Sequence, residues 1–126
     1  MHALVIDDFE PVRSLMAEIL TGIGFTVDEA ASALEALDLI KKEKVDVALV
    51  DWNMPDMDGR EFVQEVRKND AYKDIRMIMV TAETAMDKIA EALEAGADEY
   101  IMKPFTKEVI VEKLALTGIT MPAASE

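Results

Sequence analysis

Two rhythms of apolar residues alternate along the chain. Ala3–Ile6, Val47–Val50, Ile75–Val80 and Tyr100–Met102 are short apolar runs and predict buried strands. Phe25–Ala30 differs in its first residues. Phe25 and Val27 are apolar while Thr26 and Asp28 are polar, as in a strand with one solvated face or an edge position. Between these runs the spacing becomes helical. Val12, Leu15, Met16, Ile19 and Leu20 recur at three and four, and Gly22 and Gly24 end that helix. Ser32–Ala33–Leu34–Glu35 has the spacing of a capping box and precedes Leu37 and Ile40 on one side. Phe62, Val63 and Val66 mark a third helix. Met86, Ile89, Ala90 and Leu93 mark a fourth, stopped at Gly96. Val109, Ile110 and Leu114 mark a fifth, with Thr106 as its N-cap.

Five β–α units in a row predict an α/β fold, with a five-stranded parallel sheet and helices on both faces. Neither an internal repeat nor a low-complexity linker interrupts them. After Leu116 the pattern fades, so the ordered core is expected over about 3–116 and a frayed tail over 117–126.

The chain's 126 residues suit one domain, and a hydrophobic content of 51% argues against wholesale disorder. The sequence contains no cysteine, which excludes disulfides, thiolate catalysis and cysteine-ligated metals. No apolar run approaches the roughly 18 residues of a bilayer span, and Met1–His2–Ala3 does not open a signal peptide. A cytoplasmic protein is therefore expected. Thirteen basic against 26 acidic residues give a net charge of −13. That field repels nucleic acid and anionic membranes, and attracts cations and basic partner surfaces.

Ligands of open parallel sheets bind beyond the carboxyl ends of the strands. There the sequence places Asp7–Asp8, Asp51, Thr81 and Lys103, one polar ending on each of four strands. Taken singly, a paired aspartate is a turn or a cap, and a lone Asp, Thr or Lys is a loop residue. Their coincidence at one edge carries the inference. Crowded carboxylates repel one another, and a hard divalent cation relieves that repulsion. The expected ion is Mg²⁺, with Mn²⁺ as an alternative. Asp8 and Asp51 would be direct ligands, Asp7 would act partly through water, and the backbone carbonyl of Asn53 would add an oxygen. A carboxylate can also attack phosphorus to form an acyl phosphate, with catalysis then resting on positioning and charge neutralisation. Lys103 and Thr81 suit the latter task.

Four strings identify a resemblance: Val5–Ile6–Asp7–Asp8–Phe9, then Asp51–Trp52–Asn53–Met54–Pro55 through Met57–Asp58–Gly59, then Val80–Thr81–Ala82–Glu83, and Gly96–Ala97 through Tyr100 to Lys103–Pro104–Phe105–Thr106. In this order and spacing they resemble the receiver domains of bacterial two-component response regulators, and within them the CheY-like group, from Ala3 to Leu116. The resemblance implies a flavodoxin-like (βα)5 sandwich of three layers with strand order 2-1-3-4-5. It implies that Asp51 accepts phosphate from a histidine kinase, that Asp7 and Asp8 belong to the metal pocket, and that Thr81 and Lys103 contact the phosphoryl group. It further implies a cis Lys103–Pro104 bond and a Tyr100 that swings inward as Thr81 moves. Asn53 and Glu83 match positions that tune phosphoryl lifetime, and Trp52 one beside the metal.

The implied protein is a stand-alone regulator in a phosphorelay, and in chemotaxis or motility signalling. It would not be a turnover enzyme, although it would catalyse its own phosphorylation and dephosphorylation. Its partners would be a CheA-like sensor histidine kinase and a target such as a flagellar motor switch protein. It would act as a monomer, without nucleic acid or membrane. One departure bears on the target. Motor-binding relatives often carry a Lys pair where Ala85 and Met86 stand, although Lys88 and Lys113 remain nearby. The sole histidine, His2, lies near a terminus and reads as passive, so the phosphoryl donor would be external. A receiver fragment or adaptor in another phosphorelay is the alternative. Other rivals fit less well. An aspartyl-nucleophile phosphatase would need an acid where Asn53 stands. A flavin carrier would not place Asp7–Asp8–Phe9–Glu10 against a phosphate. A degenerate receiver would not keep the full acidic pocket.

Overall fold

A computed structural model describes residues 1–82 and 86–119. The strands are β1 (His2–Ile6), β2 (Thr26–Ala30), β3 (Val47–Asp51), β4 (Arg76–Thr81) and β5 (Glu99–Met102). The helices are α1 (Glu10–Ile23), α2 (Ala33–Lys42), α3 (Gly59–Arg67), α4 (Met86–Ala95) and α5 (Lys107–Leu116). All pairings are parallel and the order is β2-β1-β3-β4-β5, the flavodoxin-like topology expected. Among the described residues no helix is long and apolar enough to cross a membrane.

The strand alternation divides the core into two. Leu4, Ile6, Ala48, Val50, Met77 and Met79 face α2, α3 and α4, where Ala36, Ile40, Phe62, Val66 and Ala92 meet them. Ala3, Val5, Val47, Leu49, Ile78 and Val80 face the other way, onto Met16, Leu20, Ile110 and Leu114 of α1 and α5. Every residue of β3 is buried because both faces of the central strand are covered. β2 lies at an edge, and its mixed burial matches its broken alternation.

Local signals fix the helix ends. Ser32 caps α2 by accepting the Glu35 N–H, and Thr106 caps α5 by accepting that of Val109. The first helix does not end at Gly22, which lies inside its last turn. It ends at Gly24, whose φ of 117° is open to glycine at little cost. The third helix carries the full capping box: Asp58 accepts the Glu61 N–H, and the Glu61 carboxylate accepts that of Asp58. Past α5, the Thr117 carbonyl accepts from Arg76 Nε at 2.9 Å, and Ile119 packs on the core. The remainder of the expected tail, 120–126, lies outside the described residues, as do Glu83, Ala85 and the Met86 side chain.

Candidate functional site

The parallel register brings the carboxyl ends of β1, β3 and β4 to one edge, with Lys103 directly after β5. Asp7 is fully buried, with its backbone N–H on the Ala30 carbonyl and its Oδ1 accepting the Phe9 N–H at 2.9 Å. Asp51 closes β3 and is 4% exposed. Lys103 reaches between them, its Nζ donating to Asp51 Oδ1 at 2.9 Å and to Asp7 Oδ2 at 3.2 Å. Its backbone N–H donates to the Thr81 carbonyl at 2.8 Å, and the Lys103–Pro104 bond is cis, as the resemblance implied. Thr81 is buried at the end of β4, one residue beyond the partner of Asp51. Asp8 is exposed at the mouth, and one carboxylate oxygen from each of Asp7, Asp8 and Asp51 lies within 4.8 Å of the others.

Burial dominates the electrostatics of Asp51. It raises the carboxyl's pKa above the ordinary 3.8, helped by the charges of Asp7 and Asp8 and opposed by Lys103. For Lys103, burial works to lower the pKa. The hydrogen bond and charge of Asp51, with those of Asp7, outweigh it and raise the value above 10.5. The cation is thereby locked into its charged form between two anions.

The loop after Asp51 is held from several sides. Trp52 is buried, its N–H donates to the Val80 carbonyl, and Lys88 Nζ stands 5.2 Å from its ring centroid. It is therefore a core aromatic next to the site rather than a surface cover. Asn53 is exposed in the loop beyond. Gly59 comes so close to β3 that a Cβ there would sit 2.5 Å from the Asp51 carbonyl oxygen. Asp56 bridges the loop to the start of α2, accepting the N–H groups of Leu34 at 2.8 Å and Ala33 at 3.3 Å. Its slight burial works to raise its pKa, but these bonds and the one from Met57 N–H prevail and lower it below 3.8. Sequence reasoning gave Asp56 and Gly59 no role, although both stand inside the loop string. Tyr100 is half-buried on β5, with Lys113 Nζ 4.1 Å from its ring centroid.

The donor set suits a hard divalent cation. Three carboxylates converge at the mouth, no softer ligand stands among them, and one ammonium offsets only part of their charge.

Comparison with known proteins agrees with this geometry. A model of the response regulator receiver domain matches residues 3–115. The chain belongs to the response regulator receiver domain family. It is a CheY-like receiver. Its relatives include the chemotaxis protein CheY homolog of Campylobacter jejuni, 45% identical over 116 residues that span 90% of this chain and 89% of that one. Among solved structures, Vibrio cholerae CheY4 superposes with a TM-score of 0.86 at 36% identity, covering 90% of this receiver and 95% of that chain. The CheX–CheY–BeF3–Mg²⁺ complex of Borrelia burgdorferi contains a chain that matches with a TM-score of 0.88 at 26% identity, covering 95% of this receiver and 90% of that chain.

Proposed function

We propose that this receiver is a switch set by a phosphoryl group on Asp51, in a two-component phosphorelay that serves chemotaxis. One observation carries the proposal. Lys103 Nζ is held between Asp51 and Asp7 at the carboxyl edge of the sheet, where a phosphoryl group on Asp51 would meet a fixed positive charge.

The donor is the phosphohistidine of a CheA-like sensor kinase, or a small acyl phosphate. An Asp51 carboxylate oxygen attacks phosphorus. The new O–P bond forms as the donor's P–N or P–O bond breaks, and the electron pair leaves on the donor. Lys103 balances charge on the phosphoryl oxygens, and the Thr81 hydroxyl donates a hydrogen bond to one of them. Asp8 and Asp51 would hold Mg²⁺ or Mn²⁺ directly, with Asp7 partly through water and the Asn53 carbonyl as a further oxygen. Bound there, the ion supplies the charge neutralisation that a phosphoryl group in so acidic a pocket requires. The BeF3 and Mg²⁺ in the Borrelia burgdorferi complex support this reading.

Retention of the phosphoryl group draws Thr81 toward it, and Tyr100 turns into the space released. This biases a two-state surface made of α4, β5 and α5, which meets the target protein. A flagellar motor switch protein is one such target, although the motor-binding Lys pair is replaced by Ala85 and Met86. Water attack in line with the Asp51–phosphoryl bond resets the switch, with Asn53 and Glu83 tuning its lifetime. The chain would act as a monomer and would not turn over a separate substrate.

The test uses labelled acetyl phosphate and Mg²⁺. Wild type should gain hydroxylamine-sensitive label and Asp51→Asn none. Equal labelling of the two would overturn the proposal.

A further inference from the structure

We propose that His2, Asp28 and Glu43 form a second cation site, selective for a first-row transition ion such as Zn²⁺, at the amino end of the sheet. His2 opens β1, Asp28 lies in β2, and Glu43 follows the last residue of α2. His2 Nε2 stands 2.9 Å from Asp28 Oδ2 and 2.9 Å from Glu43 Oε2. The edge register explains the meeting. His2 pairs with Thr26, and Asp28 lies two residues further along the same face of β2.

The contacts of the ring suit a cation. The Thr26 hydroxyl lies 2.7 Å from His2 Nδ1 and 3.3 Å from the Met1 carbonyl, so it can accept a proton from Nδ1 while donating to that carbonyl. In that tautomer Nε2 presents a lone pair toward the two carboxylate oxygens, an arrangement that a metal ion between the three atoms would satisfy. One N–H serves two acceptors at equal distance poorly, whereas a metal ion serves all three atoms at once. Adjacent ligands about 2.1 Å from a metal lie about 3.0 Å apart in octahedral geometry and about 3.4 Å apart in tetrahedral geometry, so the 2.9 Å between Nε2 and each oxygen is closest to the octahedral spacing. An Nδ1–H donated to Thr26 would then be the outer contact that commonly fixes a metal-bound ring.

The ligand set also assigns the class of ion. An imidazole nitrogen with two carboxylates favours Zn²⁺, Ni²⁺ or Co²⁺ over Mg²⁺, which prefers oxygen and keeps its water. The three-aspartate pocket offers oxygen alone, so the two sites differ in preference. They are also apart. Four residue steps of β1 separate His2 from Ile6, roughly 13 Å of strand. Lys44 borders the same recess, but among the described residues no ion pair joins it to either carboxylate.

The test is calorimetric titration of the tag-free full chain with Zn²⁺ in excess Mg²⁺, which occupies the aspartate pocket. Wild type and Asp51→Asn should each bind one Zn²⁺ with similar affinity. His2→Gln and Asp28→Asn should each weaken binding at least tenfold while keeping the wild-type circular dichroism spectrum. The ring ¹⁵N resonances of His2 should shift on Zn²⁺ addition, a readout independent of any variant. Zn²⁺ affinity unchanged in both variants, or a His2 ring that titrates with pH but ignores Zn²⁺, would overturn the proposal and leave a protonated clamp. Neither result touches phosphorylation at Asp51.

Discussion

The two ends of the sheet carry the same motif in different surroundings. At the carboxyl end one nitrogen, Lys103 Nζ, lies between two carboxylates. At the amino end one nitrogen, His2 Nε2, does the same. The side chains of Asp7, Asp51 and Lys103 are 0%, 6% and 24% exposed, whereas those of His2, Asp28 and Glu43 are 16%, 36% and 54% exposed. Burial of the two carboxylates makes them depend on Lys103, since neither can turn to water when that cation is removed. The second group is rimmed by solvent, and its pairwise attractions are screened. One nitrogen between two carboxylates therefore does not carry the same energetic weight at both ends.

Substitutions at the two ends measure that difference. Lys103→Met leaves two buried carboxylates without their cation and should cost about 2–3 kcal/mol at neutral pH in EDTA, read from urea melts. The loss should shrink toward about pH 4 as the carboxyls take up protons. Gly59→Ala should cost about 2 kcal/mol in the same melts and slow phosphorylation, because its Cβ would lie 2.5 Å from the Asp51 carbonyl oxygen and 2.6 Å from Met79 Cε. Asp51→Asn should instead stabilise the fold in EDTA at neutral pH. The folded carboxyl titrates above its unfolded value of 3.8, so the anion is penalised by folding. That penalty is absent below the unfolded value and complete above the folded one, and the gain should vanish as the pH falls to about 4. The smallest effect belongs to the solvated end. His2→Gln in EDTA should cost about 0.5 kcal/mol, and a loss as large as that of Lys103→Met would erase the distinction.

The sequence made the architecture legible where local pattern and long-range packing agree. Short apolar runs gave the strands, and the polar residues that interrupt Phe25–Ala30 marked β2 as an edge. The placement of Asp7, Asp8, Asp51 and Lys103 also followed, because a parallel sheet must bring its carboxyl ends to one side. Contacts that depend on exact register stayed hidden. The Arg67 guanidinium ties α3 to the Tyr72, Ile75 and Gly96 carbonyls and to Asp98, partners up to 31 residues away. His2 read as passive because its partners lie on β2 and beyond α2 rather than beside it in sequence. The need for glycine at position 59 comes from the approach of a helix start to β3, which no local spacing reveals. The Asp58–Glu61 box is legible in the sequence from its spacing alone, ahead of the apolar residues of α3.

The central claim is that Asp51 itself carries the phosphoryl group. Treatment with acetyl phosphate and Mg²⁺, followed by borohydride reduction and peptide mass spectrometry, reads the position directly, because an acyl phosphate is reduced to an alcohol. Homoserine at position 51, and at no other aspartate, is the expected result. Homoserine at Asp7, Asp8 or elsewhere, with position 51 still aspartate, would contradict it.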